Sequence, residues 1–525
     1  MKKWSGYRHE ICQESFDAII IGSGMSGLTA AVLLSQYGQR VLVLEKHFKA
    51  GGFTHTFTRK KYEWDVGIHY IGEVHNTKSH IRKLFDRITD GNLQWAKMDD
   101  NYDRIIFPDQ SYDFVAPKEK LIDILIGHFP EEKKAINDYI SLLESYVKSG
   151  RGYFASKALP KWLTPFLYRS MTKPFFEYAD RMTKDVLREF TQNEKLLGVL
   201  TGQWGDHGSP PGRSSFAMHA MVARHYLDGG NYPVGGSRMI AEYATDEIEK
   251  HGGKVVVNAG VDEILTKGKK AVGVRLENGD ELFASKVISS AGLMNTVNTF
   301  LRHQSSGEMF KEKMKTVRPT ESYLCLYMGL NKTAKELGFK NTNLWIYPGY
   351  DHDQNVEKFR TNPNGEFPVV YVSFPSAKDP EWDKNHPGCA TMEAITLGPW
   401  DQFKAWKDEP WQGRGESYEA LKDSLSKKIL DVVYKHVPQA EGAMDYYELS
   451  TPLSVRNMAN YPIGEMYGLD HTPERFHQKW LRPQTDIKNL YLTGQDVTTV
   501  GLTSALFSGL LTASSVLGKN LIKTL

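Results

Sequence analysis

Cysteine is scarce in this sequence. Among 525 residues there are three cysteines, Cys12, Cys325 and Cys389, and they lie far apart along the chain. Thiols this few and this dispersed exclude a disulfide framework and the paired spacing of a cysteine-ligated metal. We therefore expect a reducing compartment and no metal site.

Long apolar runs and an excess of one charge are also missing. No uninterrupted apolar stretch reaches the roughly 18 residues of a membrane-spanning helix. The 65 basic and 63 acidic residues leave a net charge of +2, and no basic cluster is arranged for nucleic acid. The residues after Met1-Lys2-Lys3 are polar, so we expect no signal peptide. We expect a cytoplasmic protein that binds no nucleic acid and at most lies on the inner face of the membrane.

What the sequence does contain is a nucleotide-binding pattern near its start. An apolar run at 18–21 is followed by a glycine-rich turn at 22–27 and a helix of small residues. A second apolar run at 41–44 ends on Glu45. A buried strand, a turn, a helix and a second strand in this order predict a β-α-β unit.

Each residue type of this unit suits the chemistry of a dinucleotide. Gly22 permits a tight turn, Gly24 lets the backbone approach a pyrophosphate, and Gly27 lets the helix pack closely on the strand. The positive end of the helix faces the phosphates, and Glu45 can accept hydrogen bonds from a ribose. The sequence therefore predicts a bound dinucleotide.

A second element near the end of the chain indicates which dinucleotide. Residues 489–496 are a strand that runs into Gly494 and Asp496, and a turn at 500–502 precedes another small-residue helix. A nicotinamide enzyme does not need this element, but a flavin does, because its ribitol and ring extend beyond the adenosine end. Asp496 can serve the ribitol, and the helix after Gly501 can face the N1–C2=O edge of the ring. We predict FAD, held by both ends of the chain.

One segment has the composition of a membrane-surface helix. Residues 157–188 interleave large aromatic side chains with lysine and arginine. This combination is what an interfacial helix needs among lipid headgroups. A helix packed on its own protein with a solvated basic side would have the same composition, so both interpretations stay open.

Several stretches carry a resemblance to a known family. FDAIIIGSGMSGLTAA, the VLEK…GG segment and the LYLTGQD ending resemble the flavin amine oxidase/phytoene desaturase superfamily. DVGIHYIG (65–72), GGNYPVGGS (229–237), SFPSAKDPEW (373–382) and NLYLTGQDVTTVGL (489–502) are most similar to its carotenoid isomerase and retinol saturase branch. The resemblance implies FAD and a lipophilic polyene or other alkene substrate. Animal retinol saturases carry an N-terminal signal segment, which we do not find here.

The resemblance also implies a fold and a division into domains. The expected class is α/β, with a Rossmann-like FAD-binding domain of the GR2 or amine-oxidase type and an inserted substrate domain of mixed sheet and helices. We assign 14–78, 229–316 and 452–525 to the discontinuous FAD-binding domain. The substrate domain takes 79–228 and 317–451.

Residue chemistry and resemblance together give a set of candidate cofactor-binding positions. Val261 is included because the family places a backbone contact to adenine there. The full set is Gly22, Gly24, Ser26, Gly27, Glu45, Lys46, Gly51, Gly52, Phe53, Thr54, Val261, Gly494, Asp496, Val500, Gly501 and Leu502.

Reduction of a carbon–carbon double bond needs a hydride on one carbon and a proton on the other. The candidate proton donors are His69, Tyr70 and Tyr232, of which His69 is our first choice. A buried histidine satisfied by backbone is the competing interpretation of His69. We interpret Arg224 and Glu393 as members of structural ion pairs or solvated faces.

Other functions remain open on the same scaffold. A redox-neutral carotenoid isomerase or a desaturase would use the same pocket. A flavin amine oxidase would want aromatic residues before the last helix, where 498–500 supplies none. A prenyl-lipid carrier of the GDP-dissociation-inhibitor type would lose the acids that hold FAD, whereas Glu45 and Asp496 are present. The sequence has a single glycine fingerprint for a dinucleotide and does not name the electron donor.

Overall fold

A computed structural model describes residues 3–525. Its strands, β1 to β20 in chain order, are Ser5–Gly6, Phe16–Ile21, Val41–Leu44, Thr56–Arg59, Tyr62–Asp65, Ile71–Gly72, Trp95–Lys97, Asn101–Ile106, Ser111–Val115, Gly230–Pro233, Lys254–Val257, Val261–Lys267, Lys270–Leu276, Glu281–Ser289, Tyr323–Leu330, Asn343–Ile346, Val370–Ser373, Ala390–Leu397, Met444–Ser450 and Leu490–Leu492.

The α-helices, α1 to α18, are Met25–Gln36, His80–Ile88, Lys118–His128, Lys133–Ala158, Thr164–Ala179, Thr183–Leu187, Glu194–Leu200, Phe216–Tyr226, Arg238–Lys250, Leu293–Asn295, Ser305–Met314, His352–Thr361, Pro375–Lys378, Trp382–Asn385, Glu416–His436, Pro452–Ala459, Pro473–Phe476 and Leu502–Leu517. Within residues 3–525, none of these helices combines the length and apolar character needed to cross a membrane.

The first sheet joins the two ends of the chain. Its order is β1-β11-β3-β2-β14-β13-β12, and β20 pairs in parallel with β14. β2 and β3 are buried along nearly their whole length, as expected for strands covered on both faces. α18 packs on α1 so closely that a Cβ added to Gly509 would lie 2.5 Å from the Ser26 carbonyl oxygen. The tail of the chain thus completes the nucleotide-binding unit of its head.

The second sheet is built from the middle of the chain. Its seven strands follow the order β19-β15-β18-β17-β16-β8-β9, with one parallel pair between β16 and β8. All seven strands belong to the two stretches that we assign to the substrate domain. The sheet is mixed, and helices α4, α8 and α15 contribute to the same apolar core. The exact domain boundaries stay a prediction.

Two local predictions were wrong in ways that have a physical reason. From its glycine content, the sequence predicts a turn from residue 229 up to the helix α9, but residues 230–233 form β10, which pairs with β6 and β7. Glycine is typical of turns, which explains the prediction. The strand was missed because its partners, β6 and β7, lie far away in the sequence, so local residues do not reveal the pairing. Likewise, the sequence predicts separate strands at 281–284 and 287–292, whereas β14 runs unbroken from Glu281 to Ser289, pairing first with β13 and then with β2 and β20.

Candidate functional site: a dinucleotide cavity bounded by both chain ends

A cavity of about 430 Å³ lies where the two ends of the chain meet the second sheet. Its volume falls in the range of sites for cofactors and small molecules. Fourteen of the sixteen predicted cofactor positions line it: Gly22, Gly24, Ser26, Glu45, Lys46, Gly51, Gly52, Phe53, Thr54, Val261, Gly494, Asp496, Gly501 and Leu502. Gly27 and Val500 lie outside the lining.

The glycines bring three backbone segments into close approach. Gly51, Gly494 and Gly501 have φ angles of 119°, 115° and 94°, which side chains rarely adopt. A Cβ on Gly52 would lie 3.0 Å from the Cα of Gly24, so the two glycine turns touch. Side chains at these positions would fill the space that a pyrophosphate needs.

Both flanking helices begin at this cavity without a side-chain cap. α1 has Gly24 as its N-cap and α18 has Gly501, and neither receives a side-chain hydrogen bond there. The first N–H groups of each helix are therefore available to a ligand, and the helix dipoles add positive potential. An anionic dinucleotide whose ring gains negative charge fits this arrangement.

Gly27 does not line the cavity, but it allows the helix beside the cavity to pack closely. A Cβ at this position would lie 2.4 Å from the Gly22 carbonyl oxygen and 3.0 Å from Ser290 Oγ. The absence of a side chain lets α1 sit against the turn and against the end of β14. Val500 is also outside the lining, and its N–H donates to His471 Nε2 at 2.9 Å.

The Glu45 carboxylate is held by the turn that it faces. It accepts hydrogen bonds from the Ser23 N–H at 2.9 Å, the Ser23 hydroxyl at 2.5 Å and the His47 N–H at 2.8 Å. Its position on the cavity wall is therefore fixed before any ligand binds.

The Asp496 carboxylate ties three segments together. It accepts from the Leu293 N–H at 2.7 Å and the Leu469 N–H at 3.0 Å. A Cβ on Gly468 would lie 2.2 Å from its Oδ1. Asp496 thus orders the cavity wall by linking chain segments that the sequence separates widely.

The three candidate proton donors lie behind the cavity wall. Residues 66–68 line the cavity, while His69, Tyr70 and Tyr232 do not. Tyr232 donates to the Asp65 carboxylate, which also accepts from Ser237. The Tyr70 hydroxyl donates to Asp103 at 2.9 Å and lies 3.2 Å from an Asp206 carboxyl oxygen. All three belong to a buried polar layer between the cavity and the second sheet.

His69 and Glu393 form the centre of this layer. The Nδ1 of His69 lies 2.7 Å from Glu393 Oε2, and the Glu393 side chain is completely buried. Burial raises the pKa of Glu393 to about 8, an effect that Lys378 opposes. Burial, together with the charge of Lys378, lowers the pKa of His69 to about 3. At neutral pH the contact therefore joins a protonated carboxyl and a neutral imidazole.

Lys378 is the cation of this layer, and no sequence motif points to it. Its Nζ donates to the His69 carbonyl at 2.9 Å, to Asn343 Oδ1 at 2.5 Å and to Ser373 Oγ at 2.7 Å. Burial lowers its pKa to about 7, while nearby carboxylates act in the opposite direction. Lysine followed by aspartate in SFPSAKDPEW looks like a surface turn, so only tertiary contacts reveal the buried role.

We predict a pH dependence of stability that belongs to Glu393. Its pKa in the folded protein lies above the ordinary value, so the folded state holds the proton over a pH range in which the unfolded state has lost it. Compared with a Glu393→Gln variant, the wild type should lose stability as pH rises from about 5 to 8, by up to about 1.4 kcal/mol per pH unit. Urea unfolding of both proteins across this range checks it. A stability difference independent of pH would contradict the assignment.

One grouping of possible metal ligands lies elsewhere in the described residues. His9, Cys12 and Asp280 have ligand atoms within 4.8 Å of one another. The Asp280 carboxylate already takes part in hydrogen bonds with Tyr7 at 2.9 Å and His9 at 2.9 Å. His9 is exposed, and internal hydrogen bonds account for the grouping.

The fold and the cavity together are those of a flavin-dependent oxidoreductase: a Rossmann-type unit completed by the tail of the chain, with a mixed sheet beside the cavity. The chain belongs to the flavin-containing amine oxidoreductase family, whose model matches residues 25–297. The cofactor of the family is a flavin, and FAD fits both glycine turns and both helix ends.

Known proteins similar to this chain include enzymes of polyene chemistry. An all-trans-retinol 13,14-reductase of Danio rerio is 36% identical over 97% of this chain and 87% of its own length. A second Danio rerio protein, an inactive all-trans-retinol 13,14-reductase, is 32% identical over 96% of this chain and 86% of its own. The prolycopene isomerase 2 of an Oncidium hybrid cultivar is 26% identical over 84% of this chain and 73% of its own.

Solved structures share the fold at low identity. An oxidoreductase from Methanosarcina mazei matches with a TM-score of 0.64 and 15% identity, covering 96% of this chain and all of its own. A putrescine oxidase bound to putrescine matches with a TM-score of 0.61 and 14% identity, covering 96% of this chain and 100% of its own. These two similarities establish the fold alone.

Proposed function

We propose that this protein is an FAD-dependent oxidoreductase that saturates a carbon–carbon double bond of a lipophilic polyene. The observation that carries the proposal is that one cavity runs from the glycine turns into an apolar end beside the second sheet. That end is lined by Phe57, Tyr327, Trp411, Val455 and Met458. A hydrocarbon chain suits these side chains, and the Glu448 carboxylate that also lines the cavity is paired with Arg59 at 3.0 Å, which leaves it less able to neutralise a cationic amine.

The proposed roles of the cofactor-binding residues follow their positions. Gly24 and Gly52 let the backbone contact the pyrophosphate, and the N–H groups that open α1 donate to it. Glu45 receives the ribose hydroxyls, and the backbone at Val261 contacts the adenine. The N–H groups that open α18 lie where the ring gains negative charge. Bound reduced flavin supplies the hydride.

We propose that His69 provides the proton, with Glu393 as the group that returns it. The imidazole follows directly on the cavity-lining residues 66–68, and its Nδ1 contacts a carboxyl that carries a proton at neutral pH. Tyr70 and Tyr232 have their hydroxyls committed to buried carboxylates, which makes them weaker donors.

Replacing His69 with Ala should lower turnover of a polyene by about 10²- to 10⁴-fold, as expected for loss of a general acid. Flavin content and polyene affinity should stay within about twofold, since the variant leaves the residues that line the cavity unchanged. Single-turnover reduction under anaerobic conditions measures the first quantity. Unchanged turnover in His69→Ala would remove the residue from the mechanism.

The experiment that tests the function itself is a mass measurement. Holoprotein is reduced without oxygen and incubated with all-trans-retinol or with prolycopene, and the products are analysed. A gain of two hydrogens supports reduction, and altered retention at unchanged mass supports isomerisation, the second candidate. If flavin-loaded protein gives neither product, the proposal is overturned. The similarity to an inactive all-trans-retinol 13,14-reductase makes this outcome a real alternative.

We also propose contact with the anionic inner face of a membrane through one surface. Three of the seven large apolar side chains exposed in the described residues are Trp162, Phe166 and Leu167, with exposures of 73%, 78% and 38%. Arg169 and Lys173 are exposed nearby. The surface is smaller than residues 157–188, because Phe175 is buried and Lys157 is buried with its Nζ bonded to the Leu481 carbonyl at 2.7 Å.

The double variant Trp162→Ser/Phe166→Ser should bind anionic vesicles at least about tenfold more weakly, since each inserted aromatic side chain contributes about 1.5–3 kcal/mol. Co-sedimentation with phosphatidylserine-containing vesicles gives the partition coefficient. Phe283→Ser removes an aromatic residue that is 57% exposed outside this surface and serves as the control. If wild type and control fail to sediment with vesicles, the surface has another role.

A further inference from the structure

Three polar side chains form a row across one face of the second sheet. Strand pairing places Tyr327 of β15 directly opposite Glu393 of β18, and Glu393 directly opposite Ser373 of β17. Residues paired in this way project from the same face of a sheet, with Cβ atoms about 4.5–5.5 Å apart. The side chains of Tyr327 and Glu393 are therefore immediate neighbours, although they are far apart in the sequence.

Residues 66–69 run along this row. The Val66 carbonyl accepts a hydrogen bond from the Tyr327 hydroxyl at 3.5 Å, and His69 Nδ1 lies 2.7 Å from Glu393 Oε2. Val66 lines the flavin cavity, whereas His69 lies behind its wall. The segment and the row beneath it therefore both lead from the cavity wall to the buried pair of His69 and Glu393.

Tyr327 is the member of the row that lines the cavity. Its ring is packed against the edge of the Phe57 ring, with 4.7 Å between the two centroids. Its hydroxyl is bound weakly, because 3.5 Å is much longer than the about 2.7–2.8 Å of a usual O–H···O hydrogen bond. A fixed ring with a weakly bound hydroxyl can donate to a ligand in the cavity and accept from the neighbouring carboxyl in turn.

The Glu393 carboxyl is suited to supply this hydroxyl with a proton. Apart from the contact with His69, neither of its oxygens has a hydrogen-bond partner within the described part of the chain. Burial raises its pKa to about 8, so it carries a proton at neutral pH. A buried polar group without a partner costs about 1–3 kcal/mol, and a core that served packing alone would avoid this cost.

We propose that the Tyr327 hydroxyl donates the proton to the alkene, and that the pair of His69 and Glu393 replaces it from behind the cavity wall. The inference rests on the proposed reduction and adds the residue that touches the substrate. One alkene carbon receives the hydride with its two electrons, and the other takes the Tyr327 proton, so that two C–H bonds replace the π bond. The tyrosine oxygen then takes the Glu393 proton, which is restored from water before the next turnover.

The test is a comparison of single-turnover reduction of all-trans-retinol and of prolycopene by reduced holoprotein. Tyr327→Phe should slow the reduction about 10²-fold or more, because it removes the acid and keeps the ring. Flavin content and polyene affinity should stay within about twofold. The double variant Tyr327→Phe/His69→Ala should stay within about threefold of the slower single variant, because both residues serve one proton path. Effects that multiply would contradict a shared path.

Tyr62→Phe is the matched control. Tyr62 belongs to the same buried aromatic cluster as Tyr327 but not to the cavity lining, and its hydroxyl donates to Asp445 at 2.9 Å. This variant should keep the wild-type rate within about twofold. Reduction at the wild-type rate by Tyr327→Phe overturns the role of Tyr327 and leaves the proposed reductase intact. If the flavin-loaded wild type reduces neither polyene, both proposals are overturned.

Discussion

Replacing Lys378 with Met should lower the free energy of unfolding by about 1–3 kcal/mol, because the variant takes the donor away from buried acceptors. Lys378 Nζ donates to the His69 carbonyl, Asn343 Oδ1 and Ser373 Oγ, and Met offers them no hydrogen. Burial lowers the pKa of Lys378 to about 7, so holding its ammonium inside the fold costs stability of its own, most fully below that pH. The expected loss is therefore smaller at pH 6 than at pH 8.

Urea unfolding, followed by fluorescence, measures this loss. Lys384→Met is the matched control, because that lysine is 76% exposed and pairs with Glu381 at the surface, where ion pairs contribute about 0–1 kcal/mol. If the Lys378 and Lys384 variants unfold at the same urea concentration, the buried layer does not depend on its cation.

Replacing Gly27 with Ala should cost most of the bound flavin. The added Cβ would lie 2.4 Å from the backbone oxygen of Gly22, and backbone cannot rotate away as a side chain does. α1 must therefore move from the glycine turn that its N–H groups face. Overpacking of this kind costs about 1–3 kcal/mol, so flavin affinity should fall about tenfold or more.

Absorbance near 450 nm per mole of purified protein, about the position of the oxidised flavin band, gives the retained fraction. Gly127→Ala is the control: it lies within α3, has no atom within 4 Å of the added Cβ, and should keep full flavin content with slightly higher stability. Full flavin retention in Gly27→Ala would show that the helix tolerates the displacement.

The cofactor-binding site could be predicted from the sequence because the residues that form it follow one another within short segments of the chain. Turn glycines, a terminal acid and uncapped helix starts are set by neighbouring residues and recur at both chain ends. Even so, Asp496 was expected to serve the ribitol, and the structure adds backbone bonds to Leu293 and Leu469 that sequence spacing cannot reveal. The direct role of Asp496 at the flavin stays a prediction.

The catalytic side was less predictable because its groups come from separate strands. The sequence indicated His69 as a candidate proton donor because it lies in the segment expected to reach the flavin. Glu393 was interpreted as structural, and no sequence pattern indicated Lys378. These residues meet because β18 and α13 bring them under the same stretch of backbone.

By itself, the sequence determined that a flavin dinucleotide binds where the two ends of the chain meet, since strand, turn and helix propensities act within a few residues. The tertiary structure alone decided which buried acids and bases lie in contact, as His69 and Glu393 do. Those properties depend on burial and on distances between residues hundreds of positions apart, and neither quantity is encoded in local order along the chain.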